Sequence, residues 1–464
     1  MFKNISTYMN NTSTAPQQEN NHPQILTRPM IVLTAMTAAL YAISGLGVIV
    51  YFAVAAYALR GVKESVQALC VLFLLNLMNH GIMPPFSGQS AIRWLVFFTA
   101  CGRIIFQRQF HVPQNRSVIA PLFVFSSVIL LFSVLFSYEP AVSISKIIMF
   151  TIGVYSIMTA FDILKSDKEY WNSWFFTFFA FMVFVSVPIY FTGLGYYRHG
   201  PSFGFQGILY HSQSFGAFLA PVAVWSTIML FREGKKPLPL IMLTLLSLFF
   251  ILETRARTAL LAVLLAIGTV LIIDIVKGMD KSILVKWIFG KPVRVAIVSL
   301  VLVGVVINVG TIEEVFSEFT AKGREIDSYY DEYQRSRGFL IEASMENFRK
   351  HPVTGIGFGV HSNYQSVRVE HDGMFGIPIA ASVEKGFLIS ATLEEIGIAG
   401  FAVFLFLVIS IGRVIFSGRD LVLISLFLTC IFINIGEMIF FSFGGLGLYS
   451  WLLMGYATVE KTTA

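Results

Sequence analysis

Runs of about 20 consecutive, mostly apolar residues recur along this chain, and short polar connections separate them. A segment of that length crosses the hydrocarbon core of a bilayer as an α-helix, which pairs its backbone polar groups internally. The chain of 464 residues is 56% hydrophobic and only 13% charged, a balance that excludes an ordinary soluble domain. The pattern predicts an all-α polytopic membrane protein, a bundle of about 12 to 14 transmembrane helices.

Hydropathy and turn signals place the individual helices. Residues 29–59 form either one long tilted span or a hairpin broken around 44–47, two alternatives that the apolar pattern leaves open. The other helices are predicted at 66–80, 89–107, 117–137, 142–163, 173–194, 212–231, 238–253, 258–277, 294–310, 386–414, 419–437 and 440–459.

Most lysines and arginines fall in alternate connections, an asymmetry typical of the cytoplasmic loops of membrane proteins. These residues are Arg60, Lys63, Arg103, Arg108, Arg116, Lys165, Lys168, Arg232, Lys235, Lys236, Lys277, Lys281, Lys286, Lys291, Arg294, Arg413 and Arg419. The other connections are expected to face outward, which in a bacterium is the periplasmic side, with the C-terminus inside. Topology thus explains the formal net charge of +6, and no nucleic-acid partner is predicted.

Polarity divides the chain into four predicted parts. They are a disordered N-terminal tail at 1–28, which lacks a signal-peptide pattern, a transmembrane bundle at 29–310, a large outer loop at 311–385 and C-terminal transmembrane helices at 386–464. A long loop anchored at both ends in a membrane bundle is more often a functional element than a spacer. The candidate site is therefore expected at the outer end of the bundle.

Some basic residues break the charge asymmetry by falling on the outer side. Arg255 and Arg257 lie in a turn of a few residues between two apolar helices, where an arginine near hydrocarbon costs up to about 3 kcal/mol unless it snorkels or finds a partner. A guanidinium offers a planar fork of donors that matches phosphate oxygens, so the turn predicts a diphosphate site. The alternative is that Arg255 pairs with Glu253 and Arg257 snorkels to the headgroups. The other outer basic residues are Arg93, Lys146 and Arg198.

The outer loop contains one segment with helical periodicity. Residues 336–350 carry apolar side chains at spacings of three and four, which predicts an amphipathic helix, and His351-Pro352 is expected to end it. The following string from Gly355 to Gly359 has three glycines, which lets the backbone turn sharply or approach another group closely.

Four polar residues at the outer side are further candidates. His211 lies at the outer start of a helix, and His361 lies in the loop. Glu384 and Lys385 are at the start of the next span. His361 and Glu384 could exchange protons with a substrate. The alternatives are that a serine beside His211 caps the helix, that His361 is a wet surface residue, and that Glu384 and Lys385 form an interfacial charge pair.

Four stretches resemble, in order, the bacterial O-antigen ligase and O-antigen polymerase family of polytopic membrane glycosyltransferases. They are 207–216 with its histidine, the turn at 254–261, the string from Arg337 through the His-Pro and glycine motif at 351–357, and Leu-Glu-Glu-Ile-Gly-Ile-Ala-Gly at 393–400. The resemblance covers the C-terminal half and implies a GT-C-like bundle with one large, partly helical periplasmic loop.

The resemblance implies an inner-membrane glycosyltransferase that polymerises a surface polysaccharide from undecaprenyl-diphosphate-linked repeat units on the periplasmic face. By resemblance Arg257 and Arg337, with Arg255 beside them, bind the diphosphate. Substrate contacts are expected from His211, Arg198, Lys385, Arg93 and Lys146. Transfer would be inverting and metal-independent, with no cofactor. The expected partners are the lipid-linked donor, a glycan acceptor and the bilayer, together with a chain-length regulator and a flippase.

One departure from the family pattern bears on the reaction. Ligase-like members have a His-Asn pair upstream of the Glu-x-Gly-x-x-Gly segment, whereas residues 384–388 here read Glu-Lys-Gly-Phe-Leu. This favours a polymerase, with Glu384 as the first candidate base and His361 as the second. The alternatives are a ligase that transfers the glycan to a lipid A-core or protein acceptor, and a polysaccharide or lipid-linked glycan transporter.

Overall fold

The computed structural model is dominated by helices, as the apolar runs predict. It describes residues 27–108, 116–199, 202–232, 237–277, 338–364, 370–371, 378–379, 385–434 and 436–459. Within these residues six helices are long and apolar enough to cross a membrane, and four shorter helices are also apolar. The protein is an all-α polytopic membrane protein.

Helices precede and follow the long polar interruption. Before it are α1 (Arg28–Ala42), α2 (Leu46–Ala58), α3 (Val62–Asn76), α4 (Gln89–Arg108), α5 (Arg116–Leu135), α6 (Pro140–Ile163), α7 (Lys168–Tyr190), α8 (Ser212–Arg232), α9 (Leu238–Thr254) and α10 (Arg257–Lys277). The later helices are α11 (Phe339–Lys350), α12 (Leu388–Ser417), α13 (Leu421–Ile433) and α14 (Leu446–Ala457). Two short antiparallel hairpins pair β1 (Tyr196–His199) with β2 (Ser202–Phe205) and β3 (Glu370–His371) with β4 (Pro378–Ile379).

The predicted helices in the described ranges are all present, with shifted ends. The span predicted at 294–310 lies outside the described residues. The last helix begins at Leu446, later than predicted, because Asn434 Oδ1 accepts the main-chain N–H groups of Ile439 and Phe440 and holds the preceding residues in turns. A polar side chain that pairs with the backbone offers it an alternative to helix.

The chain reverses between α1 and α2. Gly45 has φ +87°, a left-handed conformation that breaks the helix. The Thr27 hydroxyl lies 3.4 Å from that of Thr177 within α7, whereas Gly47 packs against Phe86 in the connection after α3. The two helices therefore form a hairpin, which decides between the two alternatives left open by the sequence.

The basic connections meet at one end of the bundle, here called the basic end. Lys63 pairs with Asp167, so the first turn of α3 contacts the connection before α7. Asp420, which caps the start of α13, pairs with Lys168 at 2.6 Å and with Arg232 at 3.1 Å, which adds the starts of α7 and α13 and the end of α8. The predicted grouping of these charges on one side is thus confirmed for the connections that the structure describes.

The remaining connections meet at the opposite end, here called the loop end. Asn79 donates from Nδ2 to the carbonyls of Leu194 and Gly207, at 2.7 and 3.1 Å. The Leu388 N–H donates to Asn434 O, 3.1 Å away, and so joins α12 to the end of α13. Loop residues 352–362 lie at this end as well.

Asp420 is expected to be the strongest ionic contribution to stability at the basic end. Burial by itself raises the pKa of Asp420, but Arg232, Lys168 and the Val422 N–H together hold it below its ordinary value. A lowered pKa means that the carboxylate stabilises the fold at neutral pH, and that this contribution is lost as the pH falls through the lowered pKa.

Asp420→Asn should therefore lower the stability by about 2 kcal/mol, since two partly buried cations lose their partner while the helix cap is kept. Thermal unfolding in detergent micelles measures the change. Asp167→Asn is the matched control, because that pair is more exposed and should contribute less than about 1 kcal/mol. Equal shifts in the two variants would contradict the assignment.

Candidate functional site at the loop end

The two arginines of the outer turn are held by local backbone geometry. Thr254 Oγ1 accepts the Ala256 N–H at 3.2 Å, which closes the turn between α9 and α10. Arg255 ends α9 in the left-handed conformation, φ +55°, which is uncommon for a residue with a side chain. Arg257 is the first residue of α10, and both arginines are half-buried. The turn lies at the loop end, opposite the basic end.

The start of α8 packs against this turn. Gly216 leaves room for Thr254 and Ala256, and Gly204 lies against the Thr254 carbonyl. His211 Nδ1 accepts the N–H of Gln213 at 3.1 Å and so caps the first turn of α8. The cap predicted for a neighbouring serine is thus supplied by His211 itself.

The glycine segment of the loop docks on a break in α12. Gly397 has φ +64° and ψ −175°, a non-helical conformation inside that helix. Four main-chain hydrogen bonds join the two segments, Ile356 N to Glu394 O (2.8 Å), Gly357 N to Glu395 O (3.0 Å), Ile398 N to Pro352 O (2.9 Å) and Ala399 N to Val353 O (3.3 Å). The loop therefore supplies partners for backbone groups that the break leaves unpaired.

Glycine is required where the two backbones meet. Gly355 has φ +71°, and a Cβ added there would lie 2.5 Å from both the Glu395 carbonyl oxygen and the Ile396 nitrogen. Between the glycines, the buried Phe358 ring packs on Phe441, with ring centroids 4.8 Å apart. The segment thus combines close backbone approach with one aromatic anchor in the bundle.

Three charged side chains are buried beneath this contact, and Lys385, Glu394 and Glu395 are here called the carboxylate cluster. Each of the three residues is at most 2% exposed. Lys385 Nζ lies 2.9 Å from Glu394 Oε2 and 3.3 Å from Glu395 Oε1. Both contacts are ion pairs. Burial of such charges is tolerated only when they are paired.

Glu394 holds the amphipathic loop helix. Its Oε2 accepts the hydroxyls of Ser344 and Ser362, at 2.8 and 3.0 Å, and its Oε1 accepts Nδ2 of Asn347 at 2.7 Å. Ser344 and Asn347 are the buried residues of α11. The Glu394 carboxylate therefore binds both α11 and the loop segment that follows the glycines.

Glu395 and Lys146 bind the two main-chain polar groups of Gly359, its N–H and its carbonyl. The Gly359 N–H donates to Glu395 Oε2 at 2.6 Å, and Lys146 Nζ donates to the Gly359 carbonyl at 3.0 Å. Lys146 also faces Glu395 and Lys385 electrostatically. With Lys146 included, two cations balance two carboxylates.

His361 sits between the residues that the two glutamates hold. Its Nδ1 accepts the Asn363 N–H at 2.9 Å. Burial and the nearby Lys385 lower the pKa of His361, and Glu394 opposes them only in part. The partly exposed imidazole is therefore neutral at pH 7.

Aromatic contacts fasten the other edge of the docked loop. The Tyr138 ring, in the connection between α5 and α6, stacks on Tyr364 with centroids 4.2 Å apart. Its hydroxyl lies 2.6 Å from Nε2 of His351, the residue that ends α11 as predicted. A hydrogen bond with Tyr364 and then desolvation raise the pKa of Tyr138. These contacts bind the loop to α5 and α6.

The other predicted site residues are placed as follows. Arg93 lies over the Trp94 ring, 5.4 Å from its centroid, beside Gly444 at the loop end. Arg198 is paired with Phe203 in the register of β1 and β2. Arg337 and Glu384 lie outside the described residues, so their approach to the other groups stays a prediction.

Several of these segments lie within a match to a known protein family. Residues 242–405 match the model of the family described as O-antigen ligase. Those residues, fewer than half of the chain, are similar to the domain of that family. The match runs from α9 through the outer turn, α11 and the glycine segment to α12. This domain implies a glycosyltransferase-type enzyme that acts on lipid-linked glycans in a lipid environment. No curated protein matches the chain.

Sequence reasoning singled out neither Glu394 nor Glu395 as a site residue. The available signal was two adjacent carboxylates inside an apolar span, which are expensive in a membrane and are functional candidates by default. Lys385, predicted to contact substrate, has its ammonium between these two carboxylates and sealed from solvent.

Gly355→Ala should undock the glycine segment from α12. The left-handed backbone alone costs an alanine about 1–2 kcal/mol, and the clash with the Glu395 backbone adds to it. Hydrogen exchange measured by mass spectrometry should then show faster exchange across residues 338–364. Gly102→Ala in α4 is the control, because an added Cβ there meets nothing within 4 Å. Unchanged protection in Gly355→Ala would contradict the docking.

Proposed function

We propose that this protein is a membrane glycosyltransferase that extends a surface polysaccharide, using a polyprenyl-diphosphate-linked oligosaccharide as donor. The observation that carries the proposal is the match to the O-antigen ligase family, within which the outer turn places Arg255 and Arg257 at the loop end, where the polar loop is docked. The donor's polyprenyl tail is as apolar as the bilayer, so only its diphosphate and glycan need a polar site. Energy for transfer arrives with the diphosphate leaving group.

Charge stabilisation is assigned to arginines. Negative charge grows on the diphosphate as the glycosidic bond breaks, and preorganised cations in a poorly hydrated site favour that change. Arg257 and Arg337 are the proposed clamp, with Arg255 beside them. Arginine suits this role because its fork can bind two phosphate oxygens at once.

Proton removal from the incoming sugar hydroxyl is assigned to Glu384. This residue precedes Lys385 at the junction between the loop and α12, where a carboxylate can be tuned by partial desolvation. Direct attack by the hydroxyl would invert the anomeric centre. His211, Arg198, Arg93 and Lys146 remain proposed contacts for the donor and acceptor glycans.

The loop end is proposed to face the periplasm across a bacterial inner membrane. The reason is the concentration of lysine and arginine at the basic end, which is typical of the cytoplasmic side. A loop-end site then meets donor molecules that have already crossed the membrane, so a flippase and a chain-length regulator are the proposed partners.

A ligase is the second candidate, and the description of the matching family favours it. The segment 384–388 without a His-Asn pair favours the polymerase. Purified enzyme given only a defined polyprenyl-diphosphate oligosaccharide should produce a ladder of longer lipid-linked chains. If no ladder forms, and adding a lipid A-core acceptor yields a conjugate instead, the ligase is the correct assignment.

Arg257→Ala and Arg337→Ala should each reduce transfer by about 100-fold, the usual effect of losing one donor to a developing oxyanion. The lysine variants should recover only part of the rate, because an ammonium lacks the fork. Transfer is measured with the same lipid-linked oligosaccharide, and folding by thermal unfolding.

Arg349→Ala is the matched control for these variants. It removes an exposed guanidinium from α11 in the same loop, away from the carboxylate cluster, and should keep wild-type transfer. Wild-type activity in both Arg257→Ala and Arg337→Ala would eliminate the clamp.

A further inference from the structure

Residues before and after His361 in the sequence are bound by the carboxylate cluster and Lys146. Two residues before it, the Gly359 N–H donates to Glu395 and the Gly359 carbonyl accepts from Lys146, and one residue after it, Ser362 donates its hydroxyl to Glu394. The Ser362 carbonyl also accepts Nδ2 of Asn347, itself bound to Glu394. The backbone that carries the imidazole is thus fixed by buried, charge-assisted hydrogen bonds.

The hydrogen bond at Nδ1 decides which ring nitrogen carries the proton. The Asn363 main-chain N–H is a donor only, so Nδ1 must accept. In the neutral imidazole the proton therefore sits on Nε2. A base needs a free lone pair on the ring. In His361 the lone pair of Nδ1 accepts the Asn363 N–H and Nε2 carries the proton, so neither nitrogen has a lone pair free to act as the base.

We propose that His361 serves the transfer reaction as a hydrogen-bond donor through Nε2, not as its base, and that Glu394 and Glu395 position it. The partner of Nε2–H would be an acceptor oxygen of the bound donor, on the diphosphate or the adjoining sugar. The inference rests on the proposed function, since it assigns a role within that reaction. Glu394 and Glu395 are positioning residues because they act through the loop backbone.

Two substitutions at His361 separate a donor from a base. His361→Gln places an amide N–H near the position of Nε2 but cannot take up a proton, whereas His361→Ala removes both abilities. Purified full-length enzyme in nanodiscs is given a defined polyprenyl-diphosphate oligosaccharide. A donor role predicts that kcat falls by about 100-fold in the alanine variant and by less than about 10-fold in the glutamine variant. Equal losses in both variants, or no loss in either, would overturn the proposal.

Nitrogen NMR of histidine-labelled enzyme tests the tautomer without any turnover. The His361 signals, assigned by comparison with His361→Gln, should show Nε2 protonated and Nδ1 as an acceptor. A ring with its proton on Nδ1 would refute the donor assignment. If the wild-type enzyme does not use the lipid-linked donor, the proposed function fails, and this spectrum still decides the tautomer independently.

Glu394→Gln tests the positioning. Among the described residues, the charged groups that act on His361 are Lys385 and Glu394, and Glu394 is the one that raises its pKa. Removing that charge should lower the His361 pKa further in an NMR titration. Glu346→Gln is the matched control, because that glutamate is exposed on the same loop helix and pairs only with Lys350 among the residues described. An unchanged His361 pKa in Glu394→Gln would count against positioning.

Combining substitutions shows whether Glu394 acts through His361. Glu394→Gln should reduce kcat in the wild-type background and change it less than about twofold in the His361→Ala background. Fully additive losses would overturn the positioning role. Ser362→Ala, which removes one hydrogen bond and keeps the buried charge, should give a smaller loss with the same dependence on His361. It supplies the test if Glu394→Gln does not fold.

Discussion

A broken helix inside a membrane bundle must find partners for its freed backbone groups, because an unpaired amide in that environment costs several kcal/mol. In α12, main-chain hydrogen bonds to residues 352–357 of the loop pair the backbone groups that the break at Gly397 frees. The same contact needs left-handed glycines on the loop side, since a Cβ at Gly355 would strike the helix backbone. The glycine motif is therefore explained by backbone docking, with no phosphate needed to account for it.

Docking of the backbones also explains why two glutamates can be buried side by side. Glu394 and Glu395 follow each other just before the break, so their side chains point to different parts of the loop, one to α11 and the other to Gly359. Lys385 lies between the two carboxylates, and Lys146 adds a second cation from α6. A cluster with balanced charges and several hydrogen bonds avoids most of the penalty for burying ions.

Hydropathy and charge asymmetry were sufficient to predict the helices and the grouping of the basic connections, because both depend on local composition. The outer turn with Arg255 and Arg257 was found for the same reason, since a basic residue on the wrong side is visible in the sequence. The carboxylate cluster was not predicted, because Lys385 and Glu394 are brought into contact with the loop only by the tertiary fold. Pairings of that kind depend on tertiary contacts that periodicity does not record.

The docked loop also constrains how a site at this end can work. Phe358, Tyr138 and the carboxylate cluster join residues 351–362 to α5, α6 and α12, so this part of the loop moves only if buried ion pairs and aromatic contacts are broken. Opening this part of the loop would therefore add the free energy of these contacts to the barrier of each catalytic cycle. The segment that carries His361 is therefore held in one arrangement against the bundle. A substrate path through other elements at the loop end would leave these contacts intact.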